Sequence, residues 1–255
     1  ADSGKHDNTA TIQETQQSAS ASVTVNCYVL SVKKTAQPSF KRTYTWTIDK
    51  SADESSLTLA IGETHLVNYQ VTLDATYTDS DWAVSGAITV HNPAPIPATI
   101  NSVTDVISPS IAATVDCGVS FPYTLAAGGD LSCSYSAGLP DASTRTNTAT
   151  ATLQNYDYDY TKTPTADGTT DFSGTADVDF SEATMNEVDE CVDVSDTLQG
   201  TLGTVCYGVD TLPKTFSYSR TVGPYDACGE YKVENTASFV AADTGATGSD
   251  NWTVT

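Results

Sequence analysis

The fold of this chain is decided by one stretch, Asn147-Thr148-Ala149-Thr150-Ala151-Thr152-Leu153. Side chains of a β-strand alternate between its two faces, so the asparagine shares one face with the alanines and the leucine, and the threonines share the other. A face of threonines suits water, which places Asn147 on the core side. A buried amide needs hydrogen-bond partners, so its place in the core needs an explanation.

The same pattern occurs twice more, in Asn235-Thr236-Ala237-Ser238-Phe239 and in Asn8-Thr9-Ala10-Thr11-Ile12. Each copy places its asparagine on the apolar side of the strand. Three such strands suggest a structural unit that recurs along the chain.

Composition favours strands and an oxidising compartment. Helix-favouring Leu, Lys, Arg and Met are scarce, and the formal net charge of −21 argues against nucleic acid or an anionic membrane as a partner. No apolar run is long enough to span a bilayer. Six cysteines and a first triplet, Ala1-Asp2-Ser3, typical of a mature secreted chain, favour an extracellular, cell-surface location.

Short strands between turn signals predict an all-β fold built from β-sandwich modules. Residues 28–50 read as a hairpin with Lys34 and Lys50 on its two sides. Val194-Ser195-Asp196 echoes Val103-Thr104-Asp105, and Phe216–Ser219 echoes Cys133–Ser136, so the second half repeats the first. The repeat is abbreviated, because it has no counterpart of residues 40–84. The predicted organisation is an arm (1–37), a first module (38–155), a linker (156–172) and a second module (173–255).

Several weak motifs follow one another in a defined order. They are Lys50 on a first strand, the Gly62-Glu63 turn, the strand Val67–Val71, the Asn92-Pro93 break, Val103-Thr104-Asp105 and Asn147-Thr148-Ala149. This order resembles the Ig-like repeat domain, of unknown function, found in secreted bacterial and archaeal surface and filament proteins. The resemblance covers residues 40–155 and part of 173–255. It implies two Ig-like β-sandwich modules and a role as a stalk, an adhesin or a filament building block.

Ig-like surface domains of this kind can form an intramolecular isopeptide bond, and this resemblance gives the asparagines a chemical interpretation. A buried lysine amine attacks the asparagine amide, a neighbouring carboxyl polarises that amide, and ammonia leaves. In the first module the candidates are Lys50, Asp105 and Asn147, each on an apolar face. The alternative is that Lys50 points to water and Asn147 binds a neighbouring loop.

The second module offers Asp196 and Asn235 but no lysine on a first strand of its own. Lys34 is the weaker candidate for this role, because it shares a strand face with Leu30 and Val32. The alternative is that Lys34 is a solvated strand end.

The cysteines suggest a disulfide framework. Cys117 and Cys133 flank one turn-rich segment and are expected to pair. The second module contains Cys191, Cys206 and Cys228, so full oxidation requires Cys27 to join one of them, in the same chain or in a neighbour. We favour Cys191–Cys206 and Cys27–Cys228, while free or differently paired cysteines stay open.

Other sites have weaker support. Asp74, Asp79 and Asp81 offer oxygen ligands for calcium, but they lack EF-hand spacing, and a solvated acidic loop is the alternative. Three dispersed histidines do not suit zinc. No Gly-x-Ser-x-Gly, Walker or dinucleotide motif occurs, so we expect a non-enzymatic protein without an organic cofactor.

The arm and the second module complement each other, because one has surplus strands and the other lacks strands. If the arm of one subunit completes the sheet of the next, β-strand addition builds a head-to-tail homopolymer. We therefore expect a structural subunit of an extracellular filament or surface fibre, whose partners are further copies of itself and a cell-surface or matrix ligand. The alternatives are a monomeric adhesin or stalk segment that binds a glycan or protein, and a hydrolase accessory domain.

Overall fold

The computed structural model describes residues 3–255, so Ala1 and Asp2 of the predicted arm lie outside the described residues. Its regular structure is almost entirely β-strand, which confirms the predicted all-β fold. The strands are β1 (Gly4–Ile12), β2 (Gln17–Val25), β3 (Ser31–Lys34), β4 (Gln37–Ala52), β5 (His65–His91), β6 (Ala98–Ile107), β7 (Ile111–Ala112), β8 (Thr114–Asp116), β9 (Tyr123–Leu125), β10 (Asp130–Gly138), β11 (Arg145–Tyr158), β12 (Pro164–Val178), β13 (Thr184–Val188), β14 (Cys191–Asp196), β15 (Gly200–Cys206), β16 (Lys214–Val222), β17 (Val233–Ala241) and β18 (Thr247–Val254). A 3₁₀ turn, Phe180–Glu182, precedes β13.

The chain divides into two compact units, and each is assembled from two separate segments. Unit 1 contains residues 3–38 and 83–183. Unit 2 contains residues 39–82 and 184–255.

These boundaries differ from the predicted modules 38–155 and 173–255. Residues 39–82 supply the first strands that the second module lacks, because their apolar side chains are buried among those of β14, β15 and β17. The predicted linker, 156–172, instead forms the outer part of the β11–β12 hairpin, in which Tyr156 pairs with Ala166.

In unit 1 the strands form two antiparallel sheets. One has the order β3–β5–β10–β8 and uses β5 from Ala83 onwards. The other has the order β12–β11–β6–β7, with β9 also paired to β6. Alternation along β11 follows the prediction, since Asn147, Ala149 and Ala151 are buried. The core side of each sheet is therefore set by the period-two pattern.

Unit 2 repeats this arrangement, and it uses the first part of β5. One sheet has the order β13–β4–β5–β16, in which β13 runs parallel to β4, and the other has the order β15–β14–β17–β18. Trp46 and Leu73 of the first sheet pack with Val194 and Phe239 of the second in a common core. Asn235 is again on the buried face of its strand.

Strand β5 connects the two units through its length of 27 residues. It contains no proline and one glycine, Gly86, so few residues interrupt its hydrogen-bond ladder. Residues 65–73 pair with β16 in unit 2, and residues 83–91 pair with β10 in unit 1. The predicted hairpin over residues 28–50 does not form, because β3 pairs with the end of β5 in unit 1 while β4 belongs to unit 2.

Strands β1 and β2 form a separate two-stranded antiparallel sheet, as the predicted arm strands require. We call this sheet the hairpin. Every residue in both strands is exposed. Since β4 and β5 complete unit 2 within the same chain, the hairpin remains as the surplus element.

Candidate functional site

A lysine, an aspartate and an asparagine meet in the core of unit 1. Lys34 Nζ donates to Asp105 Oδ1 over 2.5 Å, and Asn147 Nδ2 donates to Asp105 Oδ2 over 3.1 Å. The lysine and aspartate side chains are both 0% exposed. Asp105 therefore bridges the amine and the amide with its two carboxylate oxygens.

The position of Lys34 depends on a close backbone approach. A Cβ atom on Gly174 of β12 would lie 2.1 Å from the carbonyl oxygen of Val32, and one on Gly86 of β5 would lie 2.3 Å from that of Thr35. Only glycine leaves room for the backbone at these two positions. The two glycines thus allow residues 32–35 to lie against both sheets of unit 1.

Burial and the neighbouring carboxylate act on the pKa of Lys34 in opposite directions. Burial lowers the pKa of Lys34, although the hydrogen bond and the charge of Asp105 act in the opposite direction. The ring of Tyr135 lies with its centroid 4.0 Å from Nζ. Burial raises the pKa of Tyr135, and its hydroxyl donates to the carbonyl oxygen of Thr35 over 2.7 Å.

The second polar atom of the Asn147 amide has no hydrogen-bond partner. Among the described residues, Oδ1 of Asn147 is one of three buried side-chain polar atoms that lack a hydrogen-bond partner. Buried polar groups are normally satisfied, so an unpaired carbonyl beside a lysine and a carboxyl is an exception that points to chemistry.

Unit 2 contains an equivalent cluster. Lys50 Nζ donates to Asp196 Oδ2 over 2.5 Å, and both side chains are 0% exposed. Lys50 Nζ also donates to the hydroxyl oxygen of Tyr218 over 2.9 Å, and Asn235 Nδ2 donates to the same oxygen over 2.6 Å. Here a tyrosine hydroxyl connects the amine with the amide.

Electrostatics in unit 2 favour the ionised carboxylate. Burial opposes the charge of Asp196, but hydrogen bonds from Lys50 and Tyr218 and from the backbone N–H groups of Gln199 and Leu198 outweigh it and lower its pKa. Burial raises the pKa of Tyr218, so this hydroxyl stays protonated.

The structure exchanges the two lysines of the sequence prediction. Lys50, predicted with Asp105 and Asn147, contacts Asp196, and Lys34, assigned to the second module, contacts Asp105. The reason is topological, because β3 belongs to unit 1 and β4 to unit 2. The six residues are those predicted, and both lysines are buried rather than solvated.

Sequence reasoning assigned no role to Tyr135 and Tyr218. The echo between Cys133–Ser136 and Phe216–Ser219 aligns these two tyrosines, and each one lies beside the lysine of its unit. The signal was therefore present in the repeat, although an aligned tyrosine alone does not indicate a polar task.

Each cluster holds the groups that amide exchange needs. The lysine provides a nucleophilic nitrogen, the asparagine provides an amide carbon, and the aspartate can carry a proton between them. Both sites are closed to water, which protects the amide from hydrolysis and makes every interaction stronger.

Two disulfide bonds lie outside these clusters. Cys117 pairs with Cys133 in unit 1, and Cys191 pairs with Cys206 in unit 2, as expected. The favoured Cys27–Cys228 bond is not formed within the chain, and both cysteines are free and exposed.

The calcium candidates have other partners. Asp79 accepts two hydrogen bonds from Arg42, Asp81 forms an ion pair with Lys41, and Asp74 accepts from the backbone N–H of Ala75. Over residues 3–255, no group of three or more potential ligands is arranged to hold a metal ion.

None of the helical structure within residues 3–255 has the length and apolar character that crossing a membrane requires. The chain matches no protein-family model, no curated protein and no solved structure.

Proposed function

We propose that this protein is the structural subunit of an extracellular filament or surface fibre that grows head-to-tail. The observation that carries the proposal is the hairpin, whose two strands pair only with each other within residues 3–255 and are exposed along their whole length. A two-stranded hairpin is marginally stable in water by itself, so a second surface is expected to cover it. Its outer edges can add to the sheet edge of another copy.

Covalent reinforcement supports the same role. In each unit the lysine Nζ forms a bond to the asparagine Cγ, the Cγ–Nδ2 bond breaks, and ammonia leaves. In unit 1, Asp105 takes a proton from the attacking nitrogen and returns it to the departing one. In unit 2, Asp196 takes the proton, and the Tyr218 hydroxyl, which contacts both Asp196 and Asn235 Nδ2, relays a proton to the departing nitrogen. The bonds join Lys34 to Asn147 and Lys50 to Asn235, and they resist mechanical unfolding because they connect distant strands of one sandwich.

Composition supports the extracellular setting of the proposal. Two disulfides persist in oxidising compartments, and a formal charge of −21 keeps finished fibres apart.

Negative-stain electron microscopy of the purified protein tests the assembly. We expect fibres from the full chain and monodisperse particles from a variant that lacks residues 3–25. A control with Thr11→Ser and Ser18→Thr on the polar face of the hairpin should still form fibres. Monodisperse particles from the full chain under all conditions would refute the filament.

Intact mass tests the bonds. The chain with both disulfides should be lighter by the mass of two ammonia molecules, and Asn147→Ala and Asn235→Ala should each remove one of the two losses. A full-length chain with its unmodified mass would exclude the cross-links, and it would leave the assembly to be judged by microscopy.

A second candidate function is adhesion, and a row of aromatic side chains in unit 2 favours it. Phe40 stacks on Trp82 at 4.8 Å, Arg42 lies 3.8 Å from the ring centroid of Tyr77, and Tyr77 meets Tyr207 edge-on. Exposed aromatic rows can bind sugars, and Tyr77 is exposed. Titration with oligosaccharides, followed by tryptophan fluorescence, tests this function. We expect Tyr77→Ala to weaken the binding. Fluorescence of the wild-type chain that does not change on titration would contradict adhesion to these sugars.

A further inference from the structure

We propose that a cavity of unit 2 beside Cys228, lined by both apolar and polar groups, receives the apolar side chains of the hairpin of a second copy, and that a Cys27–Cys228 disulfide locks the contact. The inference rests on the proposed function, since it names the surface that accepts the hairpin.

The hairpin has one polar face and one face on which most side chains are apolar, which we call the apolar face. Residues opposite each other in an antiparallel pair share a face, and His6 pairs with Val23, Asn8 with Ala21, and Ala10 with Ala19. The same face carries Ile12 and Val25, whereas the other consists of Lys5, Asp7, Thr9, Thr11, Ser18, Ser20, Ser22 and Thr24. The apolar face is exposed, with Ile12 at 54% and Val23 at 60%.

The receiving surface is a cavity of ≈ 330 Å³ within unit 2. Its apolar lining includes Leu57, Leu59, Ile61, Val222 and Val254. Ile61 is 62% exposed, so the apolar lining continues to the surface. Such a site fits the valines and the isoleucine of the hairpin face.

Cys228 is held at the edge of this cavity by its loop. Tyr225 and Tyr231 stack at 3.9 Å, and the Tyr231 hydroxyl donates to the carbonyl oxygen of Ala227 over 3.1 Å. The stack and the hydrogen bond close the loop around Cys228, which is exposed and lines the cavity.

Charge also favours the hairpin as the occupant. Residues 3–30 contain one basic residue, Lys5, and two acidic residues, Asp7 and Glu14. With His6 neutral, their formal charge is −1, whereas that of the whole chain is −21. Two acidic copies repel each other over most of their surfaces, and this stretch meets an acidic partner with little repulsion.

The thiols complete the contact. Val25 is the last residue of the apolar face, and Cys27 lies two residues after it. Docking of this face therefore brings Cys27 towards the edge of the cavity. Thiol–disulfide exchange with a small-molecule disulfide forms the bond: two thiols become one disulfide, and the oxidant takes up the two electrons and two protons as two thiols. Because the hairpin belongs to unit 1 and the cavity to unit 2, the contact joins unlike surfaces and continues from copy to copy.

A mixing experiment tests the pairing. Cys27→Ser retains Cys228, and Cys228→Ser retains Cys27, so each variant offers one half of the contact. Both are mixed in equal amounts with oxidised glutathione and analysed by non-reducing electrophoresis and peptide mass spectrometry. We expect a Cys27–Cys228 heterodimer in the mixture and little dimer from either variant alone. The proposal would be overturned if either variant alone gave as much dimer as the mixture, or if the thiols in the mixture remained unpaired.

The wild-type chain tests whether the Cys27–Cys228 disulfide joins two copies or closes within one copy. Under the same oxidant it should give a ladder of covalent multimers, and a monomer with an internal Cys27–Cys228 bond would overturn the proposal.

Substitution on the hairpin separates docking from random collision. Val23→Ser with Val25→Ser should lower the rate of heterodimer formation roughly tenfold, because two buried valines are lost from the contact. Ser22→Thr with Thr24→Ser, on the opposite face, should leave the rate unchanged. Equal rates for both variants would show that the apolar face is not used.

Failure here is distinguishable from failure of the filament. Fibres that form in reductant but never link Cys27 to Cys228 on oxidation would overturn this contact and preserve the proposed function. Absence of fibres from the full chain in both reductant and oxidant would refute the function itself.

Discussion

At the scale of single residues, the two buried lysines need a reason to be there. Removing a lysine and an aspartate from water costs several kcal/mol per ion, and their attraction often fails to offset it. A bond from Lys34 to Asn147 removes the buried ammonium and turns the pair into a neutral amide and a carboxyl. The proposed chemistry thus explains why such a costly arrangement is present in both units.

The role of the bridging carboxylate is tested by Asp105→Ala. We expect loss of one ammonia instead of two, because only the Lys50–Asn235 bond still forms. The free energy of unfolding should fall by about 3–5 kcal/mol, since the buried Lys34 loses its partner. Asp177→Ala, an exposed position on β12, serves as the control in urea unfolding and intact mass. A double loss of ammonia in Asp105→Ala would contradict the assigned role.

The lowered pKa of Asp196 predicts acid sensitivity when the bond of unit 2 is absent. A carboxyl whose pKa is lower in the folded state stabilises the fold above its ordinary pKa of 3.8, and this stability is lost as the pH falls through the folded value. In Asn235→Ala, the free energy of unfolding should therefore drop at pH values below 3.8. Adding Asp196→Asn should flatten that drop, and equal slopes in urea unfolding would exclude the carboxyl as its source.

At the scale of elements, β3 is a strand of four residues that places Lys34 in the core of unit 1. Gly174→Ala should destabilise the protein by about 1–3 kcal/mol, because its Cβ meets the Val32 backbone. The bond to Asn147 should also form more slowly. Gly138→Ala, with nothing within 4 Å of its Cβ, should change stability by at most about 0.5 kcal/mol. Urea unfolding and a time course of intact mass measure both effects.

The elements also show what the sequence can predict. Strand faces follow from local alternation, so the inward positions of Asn147, Asn235, Asp105 and Asp196 were predictable. The partner of each lysine was not, because two similar modules offer Lys34 and Lys50 equivalent sites. That choice depends on β5. Its first part pairs within unit 2 and its last part pairs within unit 1, so its course determines which segment of the chain completes which sandwich.

At the scale of the whole molecule, each unit should fold from its own two segments. Trp82 stacks on Phe40, and Thr184 pairs with Ser39, so a short Gly/Ser linker can join residues 39–82 to 184–255. We expect this contiguous unit 2 to unfold cooperatively in urea. The sequence-predicted modules 38–155 and 173–255 should remain unfolded, because the first lacks β3 and β12 of unit 1 and the second lacks β4 and β5 of unit 2. A cooperative transition in either of those two fragments would contradict the division into units.

The interleaving of segments also limits how a gene for this protein can change. Duplicating any contiguous stretch from within residues 39–183 copies only part of each sandwich, so tandem copies of a single unit cannot arise by simple duplication. Multidomain surface proteins commonly lengthen by adding whole domains to one chain. In the proposed fibre, a longer structure requires more copies of the chain, and fibre length becomes a matter of subunit supply instead of gene size.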